Sequence, residues 1–138
     1  MNWIEKLERY SPCSEAVDYC RNYTSAQKAW DSCERGDWML WLLGKLSGES
    51  ESQSRRKLVL TACKCARLSL KFVSKDEKRP LKAIQTAEAW AKRKEGVTLD
   101  DVKDATVAAS ALCGAETKIL KKCADIVRKD YPKAPRLR

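Results

Sequence analysis

Histidine is absent from the 138 residues of this chain, and glycine and proline are scarce, with five and four copies. Without histidine, the commonest general base and the commonest metal ligand are missing, as is every Ser-His or Cys-His nucleophile. The shortage of turn-forming residues argues against a β architecture with many turns. The composition therefore favours a helical protein, and we expect no enzyme activity, no catalytic residues, no metal and no cofactor.

Two kinds of apolar segment are also missing. The first residues, MNWIEKLERYSP, lack the apolar centre of a signal peptide, and no run of about 18 uncharged apolar residues occurs anywhere. We therefore expect a cytoplasmic protein that does not enter a membrane. Because the seven cysteines are odd in number and lie in helical patterns, we predict reduced thiols packed as small apolar side chains. The length predicts a single domain, 1–138.

Apolar residues recur at helical spacing along most of the chain, and no segment alternates as a strand does. We predict an all-α fold, a compact bundle of six or seven helices with a long C-terminal helix. Asn2 and Ser25 are the predicted N-caps of the first and third helices. Gly36 is predicted to close the third helix in the left-handed conformation, and Asp37 to cap the next one.

The second half of the chain predicts three longer segments. Residues 55–73 are apolar on nearly every side of a helix, which is typical of a helix buried by several neighbours, so we expect this helix to be central. Pro80 is the predicted first residue of the next helix, and Gly96 the residue that closes it. The range 98–130 predicts the long closing helix.

Residues 33–43, CERGDWMLWLL, form an apolar run that is unusual for a chain with a net charge of +9. In a helix, Trp38, Trp41 and Leu42 share one face, while Met39 and Leu43 lie on a neighbouring strip. Two such strips cover more than half of the helix surface. We expect the run to be core, and the alternative is a surface that grips a partner.

Cys63 and Cys65 suggest a metal site only until helical geometry is considered. Residues two apart on a helix point about 200° away from each other, so the two thiols cannot share one tetrahedral ion. The sequence also contains no C-x-x-C pair. We interpret both cysteines as packing residues.

Two blocks carry the excess positive charge. Residues 55–82 hold ten basic and two acidic side chains, a net charge of +8, and residues 118–138 hold eight basic and two acidic, a net charge of +6. If the blocks lie side by side, they form a positive face able to contact an acidic protein or a nucleic-acid backbone. The alternative is that the basic side chains only keep the bundle soluble. The predicted binding residues of this face are Arg55, Arg56, Lys57, Lys64, Lys71, Lys118, Lys121, Lys122, Arg128 and Lys129.

The string CERGDWMLWLL resembles a family of small helical immunity proteins from bacteria and their phages. The resemblance continues in RRKLVLTACKCARL and RPLKAIQTAEAWA, and the three strings lie between residues 33 and 91. The C-terminal part departs, because the family often has a repetitive tail rich in Ala and Tyr where this chain has a charged segment that contains cysteine. The resemblance implies a protein that blocks a toxin or a host-defence complex by occlusion, with no chemistry of its own.

The resemblance also implies a set of site residues. It comprises Glu34, Arg35, Asp37 and Trp38, with Arg67, Glu88 and Trp90 on facing helices. The structural alternative is a core lined by tryptophan, with Arg67 and Glu88 paired at its edge. Immunity proteins that block nucleases are often acidic and this chain is basic, so we expect a target other than the basic cleft of a nuclease. Nucleic acid remains a possible second partner.

Overall fold

A computed structural model describes residues 2–47, 53–70, 75–93, 96–98 and 117–137 of the chain. Within these ranges the fold is all-α, with seven helices and no strand, which confirms the predicted class. The helices are α1 (Trp3–Glu8), α2 (Ser14–Cys20), α3 (Ala26–Ser32), α4 (Gly36–Leu46), α5 (Gln53–Arg67), α6 (Arg79–Ala91) and α7 (Thr117–Asp130). None of the described helices is both long and apolar enough to cross a bilayer.

Both predicted N-caps are confirmed. The Asn2 side chain accepts a hydrogen bond from the Glu5 backbone N–H at 2.8 Å, and the Glu5 carboxylate accepts one from the Asn2 N–H, which completes a capping box. Ser25 Oγ accepts from the Lys28 N–H at 3.3 Å. These contacts satisfy N–H groups that a short helix cannot satisfy by itself.

The predicted roles of Gly36 and Asp37 are wrong. Gly36 is the first residue of α4 and has no positive φ, and Arg35 occupies the N-cap position. A Cβ on Gly36 would lie 2.4 Å from the Cβ of Cys123, so this position needs glycine because α4 and α7 touch there. The Asp37 carboxylate does not cap the helix, because it accepts two hydrogen bonds from the Arg35 guanidinium.

Helix α5 is central, as predicted, since it packs against α4, α6 and α7. It ends at Arg67 rather than at the predicted residue 73, because 68–70 form a turn. Cys65 faces one hydrophobic cluster and Cys63 faces another, which agrees with the 200° separation expected of residues two apart. Both thiols are buried, as packing residues are.

The ends of α6 differ from the prediction by a few residues. The helix begins at Arg79, with Pro80 second, and it ends at Ala91. Arg93, at φ 61°, takes the left-handed conformation immediately after the helix. Gly96 is also left-handed, at φ 84°, but it lies beyond the helix end and does not close it. Of the predicted closing helix 98–130, the structure describes residue 98 and α7, and residues 99–116 lie outside the described ranges.

In the described part of the chain, two hydrophobic clusters lie on either side of α5. The larger one joins α3, α4, α5 and α7 through Trp30, Met39, Leu43 and Val127, among others. The smaller one joins α5 and α6 and contains Trp90, which is 2% exposed. One helix therefore supplies both clusters, which explains why its sequence is apolar all round.

The apolar run on α4 divides between core and surface. The strip with Met39 and Leu43 is buried at 3% and 8% exposure, as predicted. The strip with Trp38, Trp41 and Leu42 is only partly covered, and Trp41 is 37% exposed. The prediction that the whole run is core is wrong for Trp41, whereas Trp38 and Leu42 are partly buried against the larger hydrophobic cluster.

Six cysteines fall within the described ranges, and all are free thiols. Cys33, Cys63, Cys65 and Cys123 are buried, as expected of small apolar side chains. Cys20 is partly buried and Cys13 is exposed, so the packing interpretation does not extend to Cys13. Cys113 lies outside the described residues.

Candidate functional site

The predicted basic residues lie on two helices that pack against each other, α5 and α7. Arg55, Arg56, Lys57 and Lys64 are on α5, and Lys118, Lys121, Lys122, Arg128 and Lys129 are on α7. Lys71 lies outside the described residues. Proximity of the two helices does not make one positive surface, because the side chains point in different directions.

Four lysines form the outer face of α7. Ile119, Leu120, Cys123, Ala124 and Val127 are buried on the inner side of this helix, while Lys118, Lys121, Lys122 and Lys129 are exposed. The helical period of 3.6 residues produces this separation. We call these four residues the lysine face. Lys121 Nζ lies 3.7 Å from a Glu34 carboxylate oxygen, and both side chains are about 60% exposed (61% and 62%), so this ion pair is weak.

Arg55 and Arg56 turn into the fold. The Arg55 Nη2 donates to the Gly44 carbonyl at 3.4 Å, and the Arg56 Nη1 donates to the Trp90 carbonyl. Each carbonyl belongs to the last turn of its helix, where no intrahelical N–H is available. The Arg56 guanidinium also lies 4.3 Å from the centre of the Trp90 ring. Both arginines therefore cap the C-terminal ends of neighbouring helices, α4 and α6.

Arg128 has the same role at the end of α3. Its Nη1 donates to the carbonyls of Trp30, at 3.1 Å, and Cys33, while its Nη2 donates to Asp125 Oδ1 at 2.7 Å. The side chain is 22% exposed. A cation at a helix C-terminus is stabilised by the helix dipole as well as by the hydrogen bonds. Sequence alone did not separate this arginine from the lysines around it.

Lys57 and Lys64 make contacts between α5 and the end of α7. Lys64 Nζ lies 2.9 Å from Asp130 Oδ2, which also accepts from Thr61 Oγ1 at 2.8 Å. Burial acts to raise the pKa of Asp130, but the hydrogen bonds from Lys64 and Thr61 outweigh it, and the pKa is lowered. Lys57 Nζ lies 4.3 Å from the centre of the Tyr131 ring. Both lysines remain exposed.

The residues implied by the resemblance fall into two separate groups. In the first, the Arg35 guanidinium binds both oxygens of Asp37, at 2.9 and 2.7 Å, and lies 4.4 Å from the centre of the Trp38 ring. Glu34 is exposed beside Lys121. This group lies at the start of α4, next to α7, and its Trp38 ring packs against the larger hydrophobic cluster.

The second group joins α5 and α6. Arg67 binds Glu88 with two hydrogen bonds, Nε to Oε2 at 2.9 Å and Nη2 to Oε1 at 2.6 Å. The hydrogen bond with Arg67 lowers the pKa of Glu88. Trp90 is buried in the smaller cluster. The pairing of Arg67 with Glu88 at the edge of a tryptophan-lined core matches the structural alternative given above.

An apolar groove, which the sequence did not predict, lies on the side of α4 that α5 and α7 leave open. It has a volume of about 540 Å³ and is walled by α1–α4 and the C-terminal segment. Its lining includes the aromatic side chains of Trp3, Tyr19, Trp30, Trp38 and Trp41. The only sequence signal for it was the second apolar strip of α4, which had a partner-binding surface as its alternative interpretation.

The C-terminal segment 131–137 forms one wall of this groove. The Trp30 Nε1 donates to the Tyr131 carbonyl at 2.8 Å. Gln27 holds the backbone twice, since its Nε2 donates to the Pro132 carbonyl at 3.1 Å and its Oε1 accepts from the Ala134 N–H at 2.8 Å. These contacts place Ala134, Pro135 and Leu137 in the lining.

Comparisons with family models, with curated proteins and with solved structures gave no match to this chain. Among the described residues, no cluster of three His, Cys, Asp or Glu side chains is placed to hold a metal ion. Within the described part of the chain, the lysine face and the apolar groove are two exposed surfaces available for binding.

Proposed function

We propose that this protein is a non-enzymatic binding protein of the immunity or inhibitor kind, which blocks a toxin or a host-defence protein by occlusion. We assign the contact to the lysine face, Lys118, Lys121, Lys122 and Lys129. One observation carries the proposal: these side chains stand exposed on the outer side of a helix whose inner side is fully buried. A rigid helix that presents lysines in a fixed pattern is suited to an acidic protein surface.

The orientation of the arginines favours a protein partner over nucleic acid. Arginine binds phosphate with two parallel hydrogen bonds, which lysine cannot do. Arg55, Arg56 and Arg128 bind helix carbonyls inside the fold, so their donors already have partners. Asp125, 66% exposed, also lies between Lys122 and Lys129 along α7, where it would repel a phosphate backbone. A mixed pattern of this kind is better matched by a protein surface with both charge signs.

A charge-reversal experiment tests the proposal. The test variant carries Lys118→Glu, Lys122→Glu and Lys129→Glu. The control carries Lys28→Glu, Lys75→Glu and Lys82→Glu, which changes the net charge equally at exposed lysines outside the lysine face. Each tagged full-length protein is used for pull-down from cells that contain candidate toxins or defence proteins, with and without nuclease treatment. The captured protein is then purified and its affinity and activity are measured.

We expect the wild-type protein and the control to retain the same protein after nuclease treatment and to block its activity at one-to-one stoichiometry. The test variant should bind roughly tenfold or more weakly, because three exposed attractions become repulsions of up to about 1 kcal/mol each. Loss of capture on nuclease treatment would instead assign the face to nucleic acid. Equal capture by the test variant would show that the lysine face is not the binding surface.

A further inference from the structure

The apolar groove has the dimensions of a ligand site. Its volume of about 540 Å³ lies within the range of small-molecule pockets, about 300–1,000 Å³. Four helices and the C-terminal segment line it, so a bound molecule would be held from several sides while the groove stays open to solvent on the remainder. The rings of Trp38 and Trp41 and the side chains of Leu7 and Leu137 supply flat and branched apolar contacts.

The polar groups in the described lining are already neutralised. Asp37 is the one charged side chain there, and both of its oxygens accept hydrogen bonds from Arg35. Burial raises the pKa of Cys20 to about 11 and also raises that of Cys33, so both thiols are uncharged at neutral pH. The Tyr19 hydroxyl donates to the Ala29 carbonyl at 2.7 Å. Lys45 and Arg35 lie over the rings of Trp41 and Trp38 but are not part of the lining, so a charged ligand group inside the groove would lose its hydration without a free counter-ion in the lining itself.

We propose that the groove is a binding site for an uncharged apolar small molecule with an aromatic or alkyl body. The neutral lining complements such a body, and the aromatic walls offer stacking and dispersion contacts. Water inside the groove has few hydrogen-bond partners, so its displacement favours binding. This site is separate from the lysine face of α7, and the inference does not depend on the proposed function.

The wall that the C-terminal segment adds favours a small molecule over a second protein as the occupant. Hydrogen bonds from Gln27 and Trp30 hold the C-terminal segment as a wall, so the groove is a pocket between five chain segments rather than a flat patch. A second copy of the chain would have to insert a side chain into it, and the oligomeric state would then depend on the groove.

Two related fluorescent probes test the inference with the full-length protein. N-phenyl-1-naphthylamine is uncharged, and 1-anilinonaphthalene-8-sulfonate adds one sulfonate to the same ring system. The variants Ala16→Phe and Ala26→Phe each fill the groove from a different helix, because both alanines line it. Leu81→Phe is the control, since it adds a ring at an exposed position of α6 that does not line the groove. Circular dichroism confirms that each variant is folded.

We expect one molecule of the uncharged probe to bind per chain, and the sulfonate to bind roughly tenfold more weakly or worse. Either filling variant should weaken binding of the uncharged probe by roughly tenfold or more, and Leu81→Phe should bind as wild type does. Absence of binding to the wild type, or unchanged binding to both folded filling variants, would overturn the inference. So would sedimentation data showing a wild-type dimer that the filling variants abolish, because the occupant would then be a second copy.

Discussion

The contact between Gly36 and α7 gives the sharpest test of how the bundle is packed. In Gly36→Ala, the new Cβ would lie 2.4 Å from the Cβ of Cys123 and 2.7 Å from the backbone nitrogen of Ala124. Ordinary contacts between carbon atoms are about 3.5–4.0 Å. Helices α4 and α7 would therefore have to move apart by more than about 1 Å, because a backbone atom cannot move aside as a flexible side chain can.

The expected loss of stability follows from two opposing effects. Overpacking of a well-filled core costs about 1–3 kcal/mol, and a clash with backbone belongs at the upper end of that range. Alanine gains up to about 1 kcal/mol over glycine in a helix, which offsets part of the loss. We expect Gly36→Ala to lower the free energy of unfolding by about 2 kcal/mol.

Gly44→Ala is the matched control on the same helix. A Cβ there would be 3.9 Å from Leu58 Cδ2 and 4.0 Å from Arg55 Nη1, which are ordinary contacts. This variant should be more stable than wild type by about 0.5–1 kcal/mol, through helix propensity alone. Urea unfolding followed by tryptophan fluorescence measures both values, with the m-value as a check that the same transition is observed. A Gly36→Ala protein as stable as wild type would refute the close approach of α4 to α7.

Two further predictions concern the ionisation of Glu88 and the exposure of the cysteine thiols. Arg67 lowers the pKa of Glu88 in the folded state. The stability that this pair contributes is therefore fully present above the pKa of the unfolded carboxyl, about 4.3, and it is lost as the pH falls through the lower pKa of the folded state. Glu88→Gln should therefore lose less stability than wild type on acidification below about pH 5 in urea titrations, and an identical pH profile would contradict the pairing. Iodoacetamide at pH 8 should label exposed Cys13 first and buried Cys65 only after unfolding. Peptide mapping by mass spectrometry measures the order of labelling, and early labelling of Cys65 would contradict its burial.

Sequence patterns located most of the helices because they are set by local interactions. The capping residues Asn2 and Ser25 act on N–H groups within three residues of themselves. The helical period placed Lys118 and Lys122 on the side of the helix opposite Val127, without any knowledge of the neighbouring helices. The predicted C-terminal ends of α5 and α6 were less accurate, because a turn or a left-handed residue can stop a helix without glycine or proline.

The lysine face and the apolar groove also differ in how far the sequence predicts them. The spacing of lysines on α7 is sufficient to predict their exposed face. The helical period places Arg128 at the edge of the buried stripe, four residues after Ala124, but it turns inward because the carbonyls of α3 lie beside it in the fold. The groove was also missed, because Trp41 has the same apolar character as Met39 and only the position of the neighbouring helices leaves it uncovered.

The sequence by itself determined the all-α class, the N-terminal caps and the amphipathic face of α7, since each depends on residues within about four positions of one another. Only the tertiary structure decided which strip of α4 is buried, which arginines cap helices and where the groove lies. These features depend on contacts such as those from Gln27 to Pro132 and from Arg128 to Trp30, which join residues about a hundred positions apart. A periodic pattern shows that a face is apolar, but the helices that pack against it determine whether that face becomes core or surface.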